Sequence, residues 1–335
     1  MLHMRKKRST SFAVALFTLL FSQAPEALAN ICNKWQPGHY IRIPVYNSGH
    51  QLVSKVLSKD LRNFKGIEYH FEWGALEKSK GKYDFSAIDD AVKQVAAKNK
   101  YLILMMTDRT FQKGCSARFV PPYVKKVGVK GNSKFCTAAI WETETMNHRI
   151  RVMKALLNRY RSNPRVIGLQ MPETGLAVRE KETPGFTWEK YHRELVRSYR
   201  ELRSAAPNMM LIQGMNFPQE SHRRGFLSGL VKVLDEIGNG GMSWPDTVPA
   251  NFSKWDQYDL AKKHNRKVPI APHVQSPLIK PTDTAKIYDF LVNQVGAHIV
   301  VWDHWHGSMQ NYLDKQVIPT VNNKKGYIKN KSCPL

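Results

Sequence analysis

Short apolar runs rich in β-branched residues alternate along this chain with longer segments of helical periodicity. This alternation is typical of βαβ units and predicts a parallel sheet with helices packed against it. The predicted strands are, in chain order, Tyr40–Tyr46, Ile67–Trp73, Tyr101–Met106, Val166–Gln170, Met209–Gln213, Gly238–Ser243, Val268–Ala271 and His298–Trp302.

Amphipathic segments between these runs predict five helices, which are Ala87–Lys98, Asn147–Ser162, Thr187–Ala206, Ser253–Asn265 and Thr282–Val295. The chain has no linker, internal repeat or low-complexity tract, so a single domain over residues 30–335 is the simplest organisation. Eight strand–helix units at this length predict the α/β class and a (β/α)8 TIM barrel. A doubly wound open sheet is the alternative. It is disfavoured because no glycine-rich phosphate-binding turn follows the first strand.

The amino terminus has the pattern of an export signal. Residues 5–8 are all basic, residues 12–21 form a short apolar run, and Ala27 and Ala29 supply the small residues that a signal peptidase requires. We therefore expect residues 1–29 to be a secretory signal peptide and the mature protein to be secreted or periplasmic. A membrane anchor is the alternative, but roughly ten apolar residues are too few to cross a bilayer, and no later run is long enough to do so.

The chain contains four cysteines, and an oxidising compartment favours their pairing. Three pairings are possible. We favour Cys115 with Cys136, which closes one long loop, and Cys32 with Cys333, which joins the two ends of a closed barrel. A metal site built from all four cysteines is the alternative, and no C-x2-C spacing supports it.

The charge of the chain is strongly positive. Lys and Arg number 51 against 27 Asp and Glu, which gives a net charge of +24. Such a surface concentrates polyanions and speeds their encounter, and candidates outside the cytoplasm are acidic polysaccharides, teichoic acids, lipopolysaccharide and extracellular DNA. Nothing selects nucleic acid specifically. The alternative is that the charge only solvates the surface.

Barrel enzymes place their active sites at the carboxyl ends of the strands, so the residues that follow each predicted strand are candidates. These candidates are Trp73 after the second strand, Asp108 after the third, Glu173 after the fourth, Trp244 and Asp246 after the sixth, His273 and Gln275 after the seventh, and Trp302, Asp303, His304 and Trp305 at the eighth.

Two segments resemble the clan A glycoside hydrolases. The first is Trp73-Gly-Ala-Leu-Glu77, followed by Lys-Gly-Lys-Tyr-Asp-Phe at residues 80–85, and it is similar to the second barrel unit of that clan. The second is the run from Pro164 to Thr174, which is similar to the clan segment that ends in the general acid/base glutamate. The resemblance implies that Glu173 is the acid/base and that Trp302 is the aromatic floor beneath the sugar. It covers most of residues 38–310.

The chain departs from the clan pattern at the seventh strand, where the clan has a nucleophilic glutamate. Here that strand ends in Pro272-His273-Val-Gln275, which contains no carboxylate, and Pro172 stands where the clan has an asparagine. Asp303 or Asp246 could supply the second carboxylate. A separation of about 6.5–9.5 Å would then leave room for water and give inversion. A substrate group could attack instead, or the barrel could bind glycans without cutting them.

Several residues of this set have ordinary structural interpretations. Glu173 could cap a following helix, and Asp108 and Asp246 could be turn residues. The strand-end tryptophans Trp73, Trp244, Trp302 and Trp305 could be sugar platforms or barrel-edge packing. His304 and His306 have no partner at metal-ligand spacing, so we expect no metal and no other cofactor.

Acidic and basic side chains near the second and third strands could also shape a cleft. Glu68, Glu72 and Glu77 flank the second strand, and we expect Glu72 to pair with a lysine rather than to point inward. The insertion from Thr110 to Trp141 could wall one side of the cleft and bind carboxylate- or sulfate-bearing chains, or simply be a solvated loop. Its basic residues are Lys113, Arg118, Lys125, Lys126 and Lys130.

These observations favour a secreted glycoside hydrolase that acts on an oligosaccharide or polysaccharide, neutral or anionic. Glu173 is its predicted acid/base, and Asp246 or Asp303 is the second carboxylate. We expect His273, Gln275, His304 and Asp108 to line the cleft. The alternatives are a non-catalytic glycan-binding barrel and a basic envelope protein that binds anionic polymers.

Overall fold

The computed structural model describes residues 31–44, 49–110, 115–129, 132–216, 225–245, 247–253, 256–275, 280–304 and 311–334. The predicted signal peptide lies outside these ranges. The strands of the described chain are β1 (Gly38–Ile43), β2 (Phe64–Glu72), β3 (Tyr101–Thr107), β4 (Arg109–Thr110), β5 (Lys126–Val129), β6 (Asn132–Ala138), β7 (Val166–Glu173), β8 (Met210–Gly214), β9 (Gly240–Ser243), β10 (His273–Val274) and β11 (Ile299–Asp303).

Eight of these strands form one parallel sheet in the order β10-β11-β1-β2-β3-β7-β8-β9. A parallel bridge between Met242 and Ile270 joins the two ends of the sheet. The predicted (β/α)8 barrel is therefore confirmed. Seven of the predicted strands are present, with boundaries that differ by a few residues. The seventh was predicted at Val268–Ala271, but the structure has only an isolated bridge at Ile270 there and the strand β10 at His273–Val274, because Pro269 and Pro272 interrupt the hydrogen bonding.

Helices surround the barrel. Those of the described chain are α1 (Gly49–Leu57), α2 (Trp73–Leu76), α3 (Ser86–Ala97), α4 (Thr143–Tyr160), α5 (Trp188–Arg203), α6 (Phe226–Glu236), α7 (Asp256–His264), α8 (Thr284–Asp289) and α9 (Ile318–Asn323), with 3-10 turns at Ile31–Lys34, Pro249–Asn251 and Pro281–Asp283 and π-helical segments at Phe290–Val295 and Leu313–Val317. The five predicted helices are present. The sequence analysis omits α6, although its buried Leu227, Leu230, Val231 and Leu234 follow the helical period.

The inside of the barrel has two different halves. One half is a small apolar cluster of Ile31, Tyr40, Ile103, Ile167, Met210, Ile212, Ala271, Ile299 and Val301. Apart from Ile31 and Ala271, these residues belong to the barrel strands β1, β3, β7, β8 and β11, so they meet in the interior. Nearer the carboxyl ends of the strands, the interior positions are polar. The much larger apolar core lies outside the strands, between the sheet and the helices.

The insertion after β3 forms a small antiparallel sheet in the order β4-β6-β5. It packs tightly on the end of β2, because a Cβ at Gly74 would lie only 1.9 Å from the carbonyl oxygen of Ala117. Arg118 pairs with Glu72, and Lys125 pairs with Glu142. Two of its basic side chains are therefore already neutralised. Lys113 and Lys130 lie outside the described residues.

Both predicted disulfides are confirmed. Cys32 joins Cys333 with the Cα atoms 5.6 Å apart, and Cys115 joins Cys136 with the Cα atoms 5.2 Å apart. The first pair ties together two ends of the described chain, and the second closes the inserted sheet. In the described part of the chain, no helix is both long enough and apolar enough to cross a membrane.

The two disulfides differ greatly in the loops that they close, 301 residues against 21. A longer loop restricts the unfolded chain more strongly, so Cys32→Ala/Cys333→Ala should lower the free energy of unfolding by about 2–5 kcal/mol. The matched control Cys115→Ala/Cys136→Ala should lose less. Urea denaturation of both double variants measures the difference, and an equal or larger loss in the control would contradict the expectation.

Candidate active site

Glu173 is the last residue of β7, the fourth barrel strand, and its side chain is half-buried at the mouth of the barrel. Asn216, two residues beyond β8, donates from Nδ2 to Glu173 Oε2 at 2.9 Å. The next helix, α5, begins only at Trp188, and residues 174–187 contain no helix. Glu173 is therefore not a helix cap, and that alternative is wrong.

A buried arginine holds the chain on both sides of this glutamate. Arg109 donates from Nη1 to the carbonyl oxygen of Glu173 at 2.8 Å and also to that of Gly175. Arg109 is itself fixed by Asp108, which also accepts a hydrogen bond from Arg149 Nε at 2.8 Å. Three buried ionic side chains thus set the backbone position at the end of β7.

Asp108 does not line the cleft, contrary to the prediction, and it is more than a turn residue. Its side chain is completely buried, and its two oxygens face Arg109 and Arg149. Burial alone would raise the pKa of Asp108, but the two guanidinium groups hold that pKa below its ordinary value of 3.8. The carboxylate is charged in the folded protein and acts on Glu173 only through Arg109.

Five polar side chains meet inside the barrel mouth, from four different strands. His273 Nε2 donates to Glu68 Oε2 at 2.8 Å and lies 3.1 Å from Gln170 Oε1. Arg42 Nε lies 3.7 Å from Glu68 Oε1, and Arg42 Nη2 donates to His70 Nδ1 at 3.2 Å. We call these five residues, Arg42, Glu68, His70, Gln170 and His273, the mouth layer.

The mouth layer is buried, yet its hydrogen bonding is incomplete. Glu68 is fully buried, and Gln170 and His273 are nearly so. Within the described chain, Arg42 Nε, Glu68 Oε1 and His70 Nε2 are buried atoms without a hydrogen-bond partner. Burial first, and then Arg42 and His273, lower the pKa of His70 well below its ordinary value, so its ring is neutral. Buried polar groups of this kind are usually satisfied, and clusters of exceptions mark functional sites.

The predicted sugar platforms Trp73, Trp244 and Trp302 are wrong. All three rings have no exposed surface and belong to the core between strands and helices. Each indole nitrogen donates to a neighbour, which is Glu77, Thr247 or His39 respectively. Strand alternation explains the burial of Trp302. Val301 points into the barrel, so the next residue, Trp302, points outward into the core between strands and helices. Trp305 lies outside the described residues.

The remaining candidates lie around the mouth at different depths. Asp303 ends β11, is half-buried, and stands beside Arg42 in the strand register. His304 is also half-buried, and its backbone N–H donates to the carbonyl oxygen of Arg42 at 3.3 Å. Gln275 follows β10 and is half-buried. Asp246 lies outside the described residues.

Three members of the mouth layer, Arg42, His70 and Gln170, are not among the predicted site residues, and neither is Asn216. A signal was present, because Glu68, His70 and Glu72 alternate with apolar residues in β2, which places them on one face of the strand. Glu68, rather than Glu72, is the glutamate that joins the interior cluster. Glu72 is ion-paired, as expected, but with Arg118 at 2.5 Å rather than with a lysine. Burial raises the pKa of Glu72, and Arg118 opposes that rise.

The (β/α)8 barrel of this chain is similar in fold to barrels of glycoside hydrolases whose structures are solved. No protein-family model and no curated protein sequence matches the chain. At the identities given below, the likeness to solved structures establishes the fold.

Three solved structures illustrate the likeness. The catalytic domain of β-amylase from Paenibacillus polymyxa superposes with a TM-score of 0.61 at 9% identity, covering 89% of this chain and 99% of that chain. Endoglycoceramidase II from Rhodococcus sp., in a cellobiose-like imidazole complex, has a TM-score of 0.58 at 13% identity, with coverage of 85% and 78%. Xylanase 10B from Thermotoga petrophila RKU-1, bound to xylobiose, has a TM-score of 0.53 at 13% identity, with coverage of 85% and 88%.

Proposed function

We propose that this protein is a glycosidase that hydrolyses an oligosaccharide or polysaccharide, with Glu173 as the general acid. The observation that carries the proposal is the position of Glu173. It is a half-buried carboxyl group at the carboxyl end of the fourth barrel strand, held by Asn216 and followed by irregular chain instead of a helix. Active sites of this fold lie at that face.

Glu173 must be correctly placed to act as a general acid. A general acid must reach the glycosidic oxygen and give it a proton as the bond to carbon breaks. Asn216 occupies Oε2, which leaves Oε1 without a hydrogen-bond partner among the residues that the structure describes. The Arg109 clamp limits movement of the backbone that carries the acid.

Two residues are candidates for the second catalytic carboxylate of this proposal. Asp303 lies at the mouth beside Arg42, and Asp246 follows the sixth strand, so both remain candidates for the second carboxylate. Endoglycoceramidase II from Rhodococcus sp. has been captured as a lactosyl–enzyme intermediate. This chain has His273 at the seventh strand, which argues against a covalent intermediate formed there.

Non-catalytic glycan binding is the second candidate function, favoured by the absence of a carboxylate from Pro272-His273-Val-Gln275 at the seventh strand. The substrate could be neutral or acidic, because the net charge of +24 favours acidic chains while Arg118 and Lys125 of the inserted sheet are already paired. Two disulfides support an exported protein.

The test is a panel of five polysaccharides, namely starch, xylan, carboxymethylcellulose, polygalacturonate and alginate, assayed for newly formed reducing ends. We expect the wild type to release reducing ends from at least one of them, and Glu173→Gln to release far fewer. The control Glu189→Gln changes an exposed glutamate in the first turn of α5 and should behave as wild type. Binding without hydrolysis would favour the non-catalytic alternative, and equal activity of Glu173→Gln would reject the assigned acid.

A further inference from the structure

We infer that His273 is the general base of this site and that Glu68 orients it, so that the glycosidic bond is cleaved with inversion. The inference rests on the proposed function and assigns the group that the proposal leaves open. It starts from the seventh strand, where a histidine occupies the position at which a carboxylate is expected. That histidine is joined to a carboxylate from the opposite part of the barrel, Glu68 on β2.

The hydrogen bonds of His273 fix which ring nitrogen carries its proton. Nε2 faces the carboxylate oxygen of Glu68 at 2.8 Å and the amide oxygen of Gln170 at 3.1 Å, and both are acceptors. Nε2 must therefore be the N–H donor, and in the neutral ring Nδ1 carries the lone pair. Nδ1 has no hydrogen-bond partner within the described chain and is not among its fully buried unpaired atoms. The ring thus offers a proton acceptor supported from behind by a carboxylate.

His273 lies deeper in the barrel than Glu173, because it contacts Gln170, a residue that precedes Glu173 on the same strand. Gln170, which touches His273, lies three residues before Glu173 on the same strand. A rise of about 3.3 Å per residue therefore places the two Cα atoms about 10 Å apart along the strand. The acid is at the rim and the histidine ring is one layer deeper. That spacing refers to the backbone. Inverting hydrolysis requires about 6.5–9.5 Å between the reacting groups themselves, because a water molecule must enter between the base and the sugar.

The rest of the mouth layer supplies groups that would hold such a water or a sugar hydroxyl. His70 is neutral and accepts from Arg42 at Nδ1, so its proton lies on Nε2, which is one of the unpartnered buried atoms. Arg42 Nε and Glu68 Oε1 form an ion pair 3.7 Å apart, and neither makes a hydrogen bond within the described chain. Leaving such groups without hydrogen bonds is unfavourable in a folded protein. Water or a sugar hydroxyl can accept from the two N–H groups and donate to the carboxylate oxygen.

In the proposed step, one water molecule hydrolyses the glycosidic bond. The oxygen of one water molecule forms a bond to the anomeric carbon while the bond from that carbon to the glycosidic oxygen breaks. The leaving oxygen keeps the bonding electron pair and takes the proton of Glu173. The attacking water gives one proton to His273 Nδ1, and the charged ring that results is stabilised by Glu68. The two groups return to their starting states by exchanging protons with solvent, and the net reaction consumes one water.

The experiment uses the same five polysaccharides and measures His273→Ala, Glu68→Gln and Glu173→Gln beside the wild type. We expect His273→Ala to lose about 10²–10⁴-fold in kcat. Glu68→Gln keeps an acceptor for Nε2 but removes the charge, and we expect a loss of about 10–100-fold in kcat with little change in KM. The control His264→Gln lies on the surface end of α7 and should keep wild-type activity. Thermal unfolding confirms that each variant is folded.

Two readouts separate a base from a residue that only supports the structure. Azide needs no deprotonation to attack, so sodium azide should restore turnover of His273→Ala and yield a glycosyl azide, while Glu173→Gln should not be rescued. Proton NMR should show that the wild type first releases the inverted anomer. Retention, or a folded His273→Ala with wild-type kcat or without azide rescue, overturns the inference while leaving the proposed acid intact. A wild type inactive on all five polysaccharides overturns the proposed function and this inference together.

Discussion

Glu173→Gln is expected to slow cleavage of natural glycosidic bonds by about 10²–10⁴-fold, the usual contribution of a general acid. Glutamine keeps the size of the side chain and can still bond to Asn216, but it has no proton to give to the leaving oxygen. A sugar alkoxide is a poor leaving group, so cleavage of the natural glycosidic bond depends on that proton. A 2,4-dinitrophenolate needs no protonation, so 2,4-dinitrophenyl glycosides should lose far less.

The comparison of the two substrate types is therefore the sharpest measure of the role of Glu173. Values of kcat for the polysaccharide and for 2,4-dinitrophenyl cellobioside, lactoside and xylobioside are measured on wild type, Glu173→Gln and the surface control Glu189→Gln. An acid gives a large loss on the first substrate and a small one on the others. A loss of equal size on both would mean that Glu173 binds or positions the sugar without donating a proton.

The barrel could be predicted from the sequence because its signals are local. Val166–Gln170 and Tyr101–Met106 are apolar runs bounded by helical periodicity, and they are the strands β7 and β3. The seventh strand was predicted at Val268–Ala271 but lies at His273–Val274, because prolines on both sides limit its pairing. The Cys32–Cys333 disulfide could be predicted because a closed barrel brings the ends of its chain together, and the Cys115–Cys136 disulfide because it closes one loop.

The site was predicted only in part, because it depends on the direction of each side chain and on contacts between distant strands. Trp302 stands at a strand end as expected, yet one step of alternation turns its ring away from the mouth and into the outer core. Glu68 and His273 are 205 positions apart in sequence, and nothing local joins them. The position of Glu173 at the end of the fourth barrel strand could be predicted because that strand has a local signal.

The mouth layer and Glu173 also differ in what holds them in place. The mouth layer lies on strands, where hydrogen bonding to neighbours fixes the backbone. Glu173 lies where its strand ends and a stretch without helix begins. A carboxyl group placed there needs additional support if it is to stay aligned with a substrate, because small displacements reduce catalysis strongly. The buried group of Asp108, Arg109 and Arg149 gives that support.

Asp108→Ala is expected to lower the free energy of unfolding by about 3–5 kcal/mol at neutral pH, the range for breaking a buried ion pair from one side. The substitution leaves Arg109 and Arg149 buried, charged and facing each other without their shared carboxylate. Urea denaturation measures the loss. The control Asp259→Ala removes an exposed partner of Lys262 on α7, and such surface pairs contribute about 0–1 kcal/mol.

The pH dependence of the same variant tests the cause. The folded pKa of Asp108 is lowered, so its contribution is fully present above its ordinary value of 3.8 and is lost as the pH falls through the lower folded value. The stability difference between wild type and Asp108→Ala should therefore be constant from pH 5 to 8 and shrink only in acid below the ordinary value. A difference that shrinks near neutral pH, or one no larger than that of Asp259→Ala, would show that Asp108 is not the charged anchor of Arg109. Loss of activity in excess of the loss of folded protein would show that the anchor also aligns Glu173.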